Sequence, residues 1–229
     1  MTGRLYFRQL LSGRDFAVGD QMAAQMVNFS YLIGDRETGE AVTVDPAYAV
    51  ADIVAAAEAD GMHLVGALAT HHHADHVGGS MMGYGIEGID RLKELVDVPV
   101  HVNRHEAEWV RRTTGVSAGD LVGHDGGDVL AVGDVEIRFL HTPGHTPGSQ
   151  CFLVDDMLVA GDTLFLEGCG RTDLPGSDPQ AMYESLRLLA RLPDDVALFP
   201  GHRYSPASSA TLGAVKEMNP VLQFPESRP

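Results

Sequence analysis

Lysine and arginine are scarce in this chain: 16 of them stand against 32 aspartates and glutamates, a formal net charge of -16. Binding nucleic acid takes clustered cations that displace counterions from phosphates, so this balance argues against a nucleic-acid partner. Cysteine is nearly absent. Cys151 and Cys169 are too few for a disulfide framework, and both are expected as reduced thiols. No apolar run approaches the roughly 18–20 residues that a membrane-spanning helix needs, and the start Met1-Thr2-Gly3-Arg4 leads into a mixed segment instead of an apolar signal. A cytoplasmic chain without membrane contact is the expectation. Repeats, low-complexity stretches and linkers are missing too. What is present is ordinary globular usage, 44% hydrophobic and 21% charged over 229 residues, enough for one sizeable core, and residues 1–229 are expected to form one domain.

Alternating and wholly apolar runs predict strands over residues 6–11, 29–34, 41–44, 64–69 and 100–102. Helical spacing covers 48–60, closed by Gly61, and then 89–96 and 104–112, the last carrying the lone tryptophan, Trp109. The second half turns to hairpins, 129–132 with 135–140 and 150–154 with 157–160. A helix over 179–192 follows, with Asp178 as its N-cap and Pro179 in its first position, and a strand over 196–199. The Gly-rich segment 78–88, with Met81, Met82 and Tyr84, is a candidate mobile loop or a plain surface excursion.

The run Thr70-His71-His72-His73-Ala74-Asp75-His76 directly follows the apolar stretch 64–69. Neutral imidazoles and a carboxylate crowded into so short a span suit small cations. Alternation puts His71 and His73 on one side of an extended segment, while Asp75 and His76 begin the next turn and point elsewhere, an arrangement suited to two adjacent metals. The spacing His71-x-His73-x-Asp75-His76 resembles the signature of the metallo-β-lactamase fold superfamily. Three later segments match that resemblance in order: Thr142-Pro143-Gly144-His145-Thr146-Pro147-Gly148, then Ala160-Gly161-Asp162-Thr163, then Pro200-Gly201-His202. Prolines that fix φ and glycines that permit tight turns flank each of these later histidines and the aspartate, which suits stiff loops at strand ends.

The resemblance implies an α/β fold, the αββα sandwich of two mixed sheets flanked by helices. By carry-over it also implies two divalent metal ions, with zinc expected first and iron or manganese accepted by the same donors. His71, His73 and His145 would hold one, Asp75, His76 and His202 the other, and Asp162 would bridge them, since a carboxylate offers lone pairs in several directions. After His145 the chain resembles the short-form, glyoxalase II-like (hydroxyacylglutathione hydrolase-like) members, through Gly161-Asp162-Thr163-Leu164-Phe165, Gly168-Cys169-Gly170-Arg171-Thr172-Asp173-Leu174-Pro175-Gly176 and Asn219-Pro220. That similarity implies a hydrolase of small-molecule thioesters such as S-lactoylglutathione, acting through a metal-bridging hydroxide oriented by Asp75. A thiolate leaves without a general acid, which favours thioesters over amides. The full-length enzymes of that group carry a C-terminal helical domain that contacts glutathione. Only 27 residues follow His202 here, so that domain, and thiol specificity with it, is not expected.

A competing resemblance is to persulfide dioxygenases, which hold one iron with residues matching His71, His145 and Asp162. Cys169 in Gly168-Cys169-Gly170-Arg171-Thr172-Asp173 and Tyr204 shortly after His202 also resemble that group, and each is read either as a small hydrophobe or core-edge ring or as a substrate contact. Arg171 either pairs with Asp173 or meets substrate. A β-lactamase role, disfavoured by the lack of an export-like start, and a non-catalytic metal-binding partner domain complete the alternatives. Of the other histidines, His72 is expected to point away from the metals, and His63, His101, His105 and His124 to be surface or loop residues. His141 is either an ordinary half-buried residue or a support for His145. The pairs Met22 with Met26 and Met81 with Met82 fill core or line a pocket. No amphipathic seam speaks to oligomeric state.

Overall fold

The computed structural model describes residues 3–223. Its first half alternates strands and helices: β1 (Leu5–Leu11), α1 (Gln21–Met26), β2 (Phe29–Asp35), β3 (Glu40–Val44), α2 (Val50–Ala59), β4 (His63–Leu68), α3 (Ala74–Val77), β5 (Gly79–Met81), β6 (Tyr84–Ile86), α4 (Ile89–Leu95), β7 (Val100–Asn103) and α5 (Ala107–Thr114). The second half runs through β8 (Leu121–His124), β9 (Val129–Val132), β10 (Val135–His141), β11 (Gln150–Val154), β12 (Met157–Gly161), α6 (Pro179–Leu189), β13 (Ala197–Pro200), β14 (Ala210–Thr211) and α7 (Leu212–Met218). Two six-stranded mixed sheets result, ordered β1-β2-β3-β4-β7-β8 and β14-β13-β12-β11-β10-β9, with β5-β6 as a separate hairpin.

Period-two alternation sorts the strand side chains into layers. From β2 and β3, Phe29, Tyr31, Ile33, Val42 and Val44 enter the cluster between the sheets, where they meet Ile137, Phe139, Phe152, Val154 and Val159 of the second sheet. Leu32 and Ala41 face the other way, joining Ile53 and Ala57 of α2, Ile89 and Leu92 of α4 and Val110 of α5. In the second sheet Cys151, Leu158 and Ala160 pack outward on Met182, Leu186 and Leu189 of α6 and Leu212 and Val215 of α7. Helix, sheet, sheet and helix are therefore stacked in the expected αββα order. Each fully buried Leu or Phe in these layers contributes roughly 1.5–3 kcal/mol relative to exposure.

Strand direction decides where the loops gather. β3 and β4 are parallel, as are β12 and β13, and β10 runs with β12 because both are antiparallel to β11. The segments that follow β3, β4, β10, β12 and β13 consequently leave at common edges of the two sheets. The sheets are tied there: Gln150 donates its backbone N–H to the Thr70 carbonyl at 3.0 Å and its side-chain amide to Ala69 at 2.8 Å. The Tyr31 hydroxyl donates to the Pro200 carbonyl, and Phe29 N–H to Gly201 at 2.8 Å.

Several expectations are corrected. The helix expected from residue 104 begins at Ala107, because Asn103 closes a turn first, its side chain accepting from His105 N–H and its carbonyl from Glu106 N–H. The helix expected over 48–60 starts at Val50, since Tyr48 has φ 68. α6 ends at Leu189, short of 192, though Asp178 caps it as expected, accepting from Gln180 and Ala181 N–H. Segment 78–88 contains the β5-β6 hairpin, turning through Met82 and Gly83 at positive φ. His101 is buried on β7, with Nδ1 2.8 Å from Nε2 of His124 on β8, so neither is a loop residue. α1, α3, α7, β8 and β14 have no counterpart in the sequence reading. Among the described residues no helix is long and apolar enough to cross a membrane.

Candidate metal centre

Four loops bring the seven side chains together. His71 and His73 follow β4, Asp75 and His76 lie in α3, His145 follows β10, Asp162 follows β12 and His202 follows β13. Their ligand atoms form three overlapping groups, each within 4.8 Å: His71, His73 and His145; Asp75, His76 and His202; and, between them, His71, His76 and Asp162. His73 Nδ1 is 3.0 Å from both His71 Nε2 and His145 Nε2, and the Nε2 atoms of His76 and His202 are 3.2 Å apart. The Asp162 carboxylate spans the two groups, with Oδ1 3.4 Å from His76 Nε2 and Oδ2 3.7 Å from His145 Nε2 and 3.3 Å from His202 Nε2.

Partners on the far side of each ring assign its proton. The His145 Nδ1–H donates to the Arg171 carbonyl at 2.8 Å, His202 Nδ1–H to Met26 at 2.7 Å and His76 Nδ1–H to Asp45 Oδ2 at 2.8 Å. Thr70 spends its hydroxyl proton on Asp45 at 2.7 Å, so at 3.0 Å its oxygen accepts from His71 Nδ1–H. Four imidazoles thus turn bare Nε2 lone pairs inward. A single proton on His73 Nδ1 cannot serve both of its neighbours. Asp162 Oδ1 is buried without a hydrogen-bond partner, and a Cβ at Gly201 would stand 2.3 Å from it. Converging lone pairs and an orphaned carboxylate oxygen fit divalent cations, and the outward hydrogen bonds are the kind that orient metal ligands.

Electrostatics of the protein alone divide the cluster in two. Burial would lower the His76 pKa, but Asp75, Asp162 and Asp45 lift it to about 10, whereas burial and the neighbouring histidines push His73 down to about 3. Burial would raise the Asp162 pKa, but His202, His76 and His145 hold it well below the usual carboxylate range. The carboxylates thus draw positive charge to the side of His76 and His202, while the crowded imidazoles of His71 and His73 are held neutral.

Residues that the sequence reading passed over hold this set. Asp45, at φ 51, accepts from Thr70 N–H at 2.7 Å as well as from Thr70 Oγ1 and His76. Asn28 donates to Asp75 Oδ2 at 3.1 Å and accepts from the Tyr48 hydroxyl at 3.2 Å. Glu106, buried, accepts from His72 N–H at 2.8 Å and Gly148 N–H at 2.7 Å, tying the first motif to the His145 loop. Their signal in the sequence is faint, an Asp before a proline and an acid among helical residues. His72 turns away as expected, with Nδ1 2.5 Å from Glu106 Oε1 and its ring stacked on Trp109. His141 Nε2–H donates to Pro147 at 3.0 Å and so braces the His145 loop.

A cavity of about 700 Å3 opens beside the cluster and includes Arg171, Cys169 and Tyr204 in its wall. Arg171 is exposed and grips Asp173 with two hydrogen bonds of 2.9 Å. Half-buried Cys169 has its thiol pKa raised by burial, and Tyr204 stacks on His202 with ring centres 4.7 Å apart.

The family model of the metallo-beta-lactamase superfamily matches residues 25–202. A hydroxyacylglutathione hydrolase of Rhodopseudomonas palustris (strain ATCC BAA-98 / CGA009) is 38% identical over 198 residues, 86% of this chain and 70% of that one. Of solved structures, ETHE1 from Myxococcus xanthus has a TM-score of 0.76 and 30% identity over 95% of this chain and 84% of that one. TTHA1623 in a di-iron-bound form has a TM-score of 0.70 and 28% identity over 85% and 95%. With its fold, its convergent histidines and aspartates and this match over most of its length, the chain belongs to the metallo-beta-lactamase superfamily.

Proposed function

We propose that this chain is a metal-dependent thioester hydrolase with two divalent ions, zinc first, held by His71, His73 and His145 on one side and by Asp75, His76 and His202 on the other, with Asp162 between. The observation that carries the reading is the pair of adjacent ligand groups joined through Asp162. Divalent metals supply Lewis acidity and make hydroxide available from water near neutral pH. The chain's residues do the rest. Asp75, held by Asn28, orients the attacking water, and the carboxylate of Asp162 fixes the spacing of the two halves. Asp45 keeps His76 in the tautomer that faces inward, as the Arg171 and Met26 carbonyls do for His145 and His202. Attack breaks the acyl carbon–sulfur bond, and the thiolate departs without a protein acid. The similarity to a hydroxyacylglutathione hydrolase supports this reaction class.

A second reading, a mononuclear-iron persulfide dioxygenase using His71, His145 and Asp162, draws support from the Nε2 to Oδ2 separation of 3.7 Å between His145 and Asp162 and from the similarity to ETHE1. One experiment separates them: metal content per chain on protein purified without added metal, with hydrolysis of S-lactoylglutathione and of a neutral acyl-N-acetylcysteamine thioester followed on the same sample. Two metals with turnover of either thioester, reduced at least about 100-fold by His202→Ala, is the expected result. A single iron, no hydrolysis, and oxygen uptake on glutathione persulfide would replace it with the dioxygenase.

A further inference from the structure

The cavity wall contains side chains that the proposed reaction does not use. Met26 reaches it from the end of α1, Met81 and Met82 from the β5-β6 hairpin, and Phe165, Leu174 and Tyr204 from the segments after β12 and β13. One side is stiff, because Tyr204 stacks on His202 and meets Phe165 edge-on at 5.1 Å. The methionine side is unbranched and able to follow the shape of an apolar chain. Met82 is 86% exposed and Tyr204 56%, so apolar surface is kept open at the mouth of the cavity.

Charge in the wall is distributed the other way. Among the described residues lining the cavity Arg171 is the sole arginine or lysine, and its Nε and Nη2 are already committed to Asp173. Glu167 adds a negative charge to the same wall. A glutathione carrier brings two carboxylates, which need free guanidinium or ammonium donors to repay their desolvation. An alkyl acyl chain finds matching surface, worth up to about fourfold in affinity per buried methylene.

We propose that this wall is an acyl subsite and that the substrate class is a thioester with an apolar acyl chain on an uncharged thiol carrier. The proposal rests on the thioester-hydrolase reading. Water adds to the acyl carbon, the carbon–sulfur bond breaks with its electron pair on sulfur, and the products are a carboxylate, a thiol and one proton released to solvent.

The test is kcat/KM of the metal-loaded protein for acetyl-, butyryl- and hexanoyl-N-acetylcysteamine against S-lactoylglutathione. A rise of about two- to fourfold per methylene is expected, with hexanoyl at least tenfold above S-lactoylglutathione. Met82→Ser should flatten the rise, lowering kcat/KM about three- to tenfold more for the hexanoyl than for the acetyl thioester. Preference for S-lactoylglutathione, or a rate independent of chain length, overturns the subsite and leaves the hydrolase standing. Should no thioester be turned over, the hydrolase reading falls, and calorimetry with the inert pair S-hexyl-N-acetylcysteamine and S-hexylglutathione decides the subsite by itself. Binding at least tenfold tighter for the uncharged compound and weakened by Met82→Ser upholds it; tighter binding of the glutathione derivative overturns it.

Discussion

Asp45 carries three hydrogen bonds on one carboxylate at a left-handed backbone position, and through them it orients both His76 and, by way of Thr70, His71. Asn tolerates the same backbone, so Asp45→Asn isolates the hydrogen bonding from the strain. An amide oxygen accepts fewer of these bonds and its NH2 would confront a donor. We expect metal affinity, followed by competition with a chelator, to fall about 10- to 100-fold, with a loss of roughly 1–3 kcal/mol in urea unfolding of the metal-free protein. Unchanged chelator competition would remove Asp45 from the set of positioning residues. At this scale the candidate ligands were legible in the sequence because four motifs occur in order, the three later ones with their histidine or aspartate beside glycine. Asp45, Asn28 and Glu106 were not. A carboxylate or amide that supports a ligand loop from 31 or more residues away leaves no local pattern, and only the distances identify it.

At the scale of elements, α6 positions the His145 loop by contact with it. Ser185 donates to the Pro143 carbonyl at 2.7 Å, Asp178 N–H donates to Gly144 at 2.8 Å, and the helix backbone comes so close that a Cβ on Gly144 would lie 2.4 Å from Met182 N and Cα. Gly144 also has φ 138, a conformation open to glycine. Gly144→Ala therefore cannot be accommodated without moving the loop or the helix, and we expect a destabilisation of about 1–3 kcal/mol in urea together with weaker metal retention. Wild-type stability in that variant would show that the loop and α6 are free to separate. The helix itself was readable from Asp178 and Pro179, because a cap and a first-turn proline are local signals. The short α1, α3 and α7 were not, since helices of four to seven residues hold together by what they pack against instead of by propensity.

For the molecule as a whole, the two sheets meet through a histidine pair as well as through the apolar layer. His101 on β7 is buried with Nδ1 against His124, whose ring stacks on Phe139 of the opposite sheet, with Asp128 and Arg104 nearby. Burial, and then the charge of His124, lower the His101 pKa from 6.5 to about 4. The unfolded chain therefore takes up a proton between pH 6.5 and 4 that the folded chain refuses, so this contribution is fully present above pH 6.5 and is lost as pH falls toward 4. It amounts to on the order of 3 kcal/mol. Urea midpoints of the metal-free protein at pH 7 and pH 4.5 should fall less steeply in His101→Gln than in the parent; equal slopes would show that His101 is not held neutral. The α/β alternation was determined by the hydrophobic periods of the sequence, and the αββα form and the candidate ligands by the resemblance that its ordered His/Asp motifs carry. Which loops share an edge, which nitrogen of each ring faces inward, what charge lines the cavity and which histidines are buried were decided by the tertiary structure alone. Those properties depend on parallel and antiparallel pairings between distant strands, and no local run of residues encodes them.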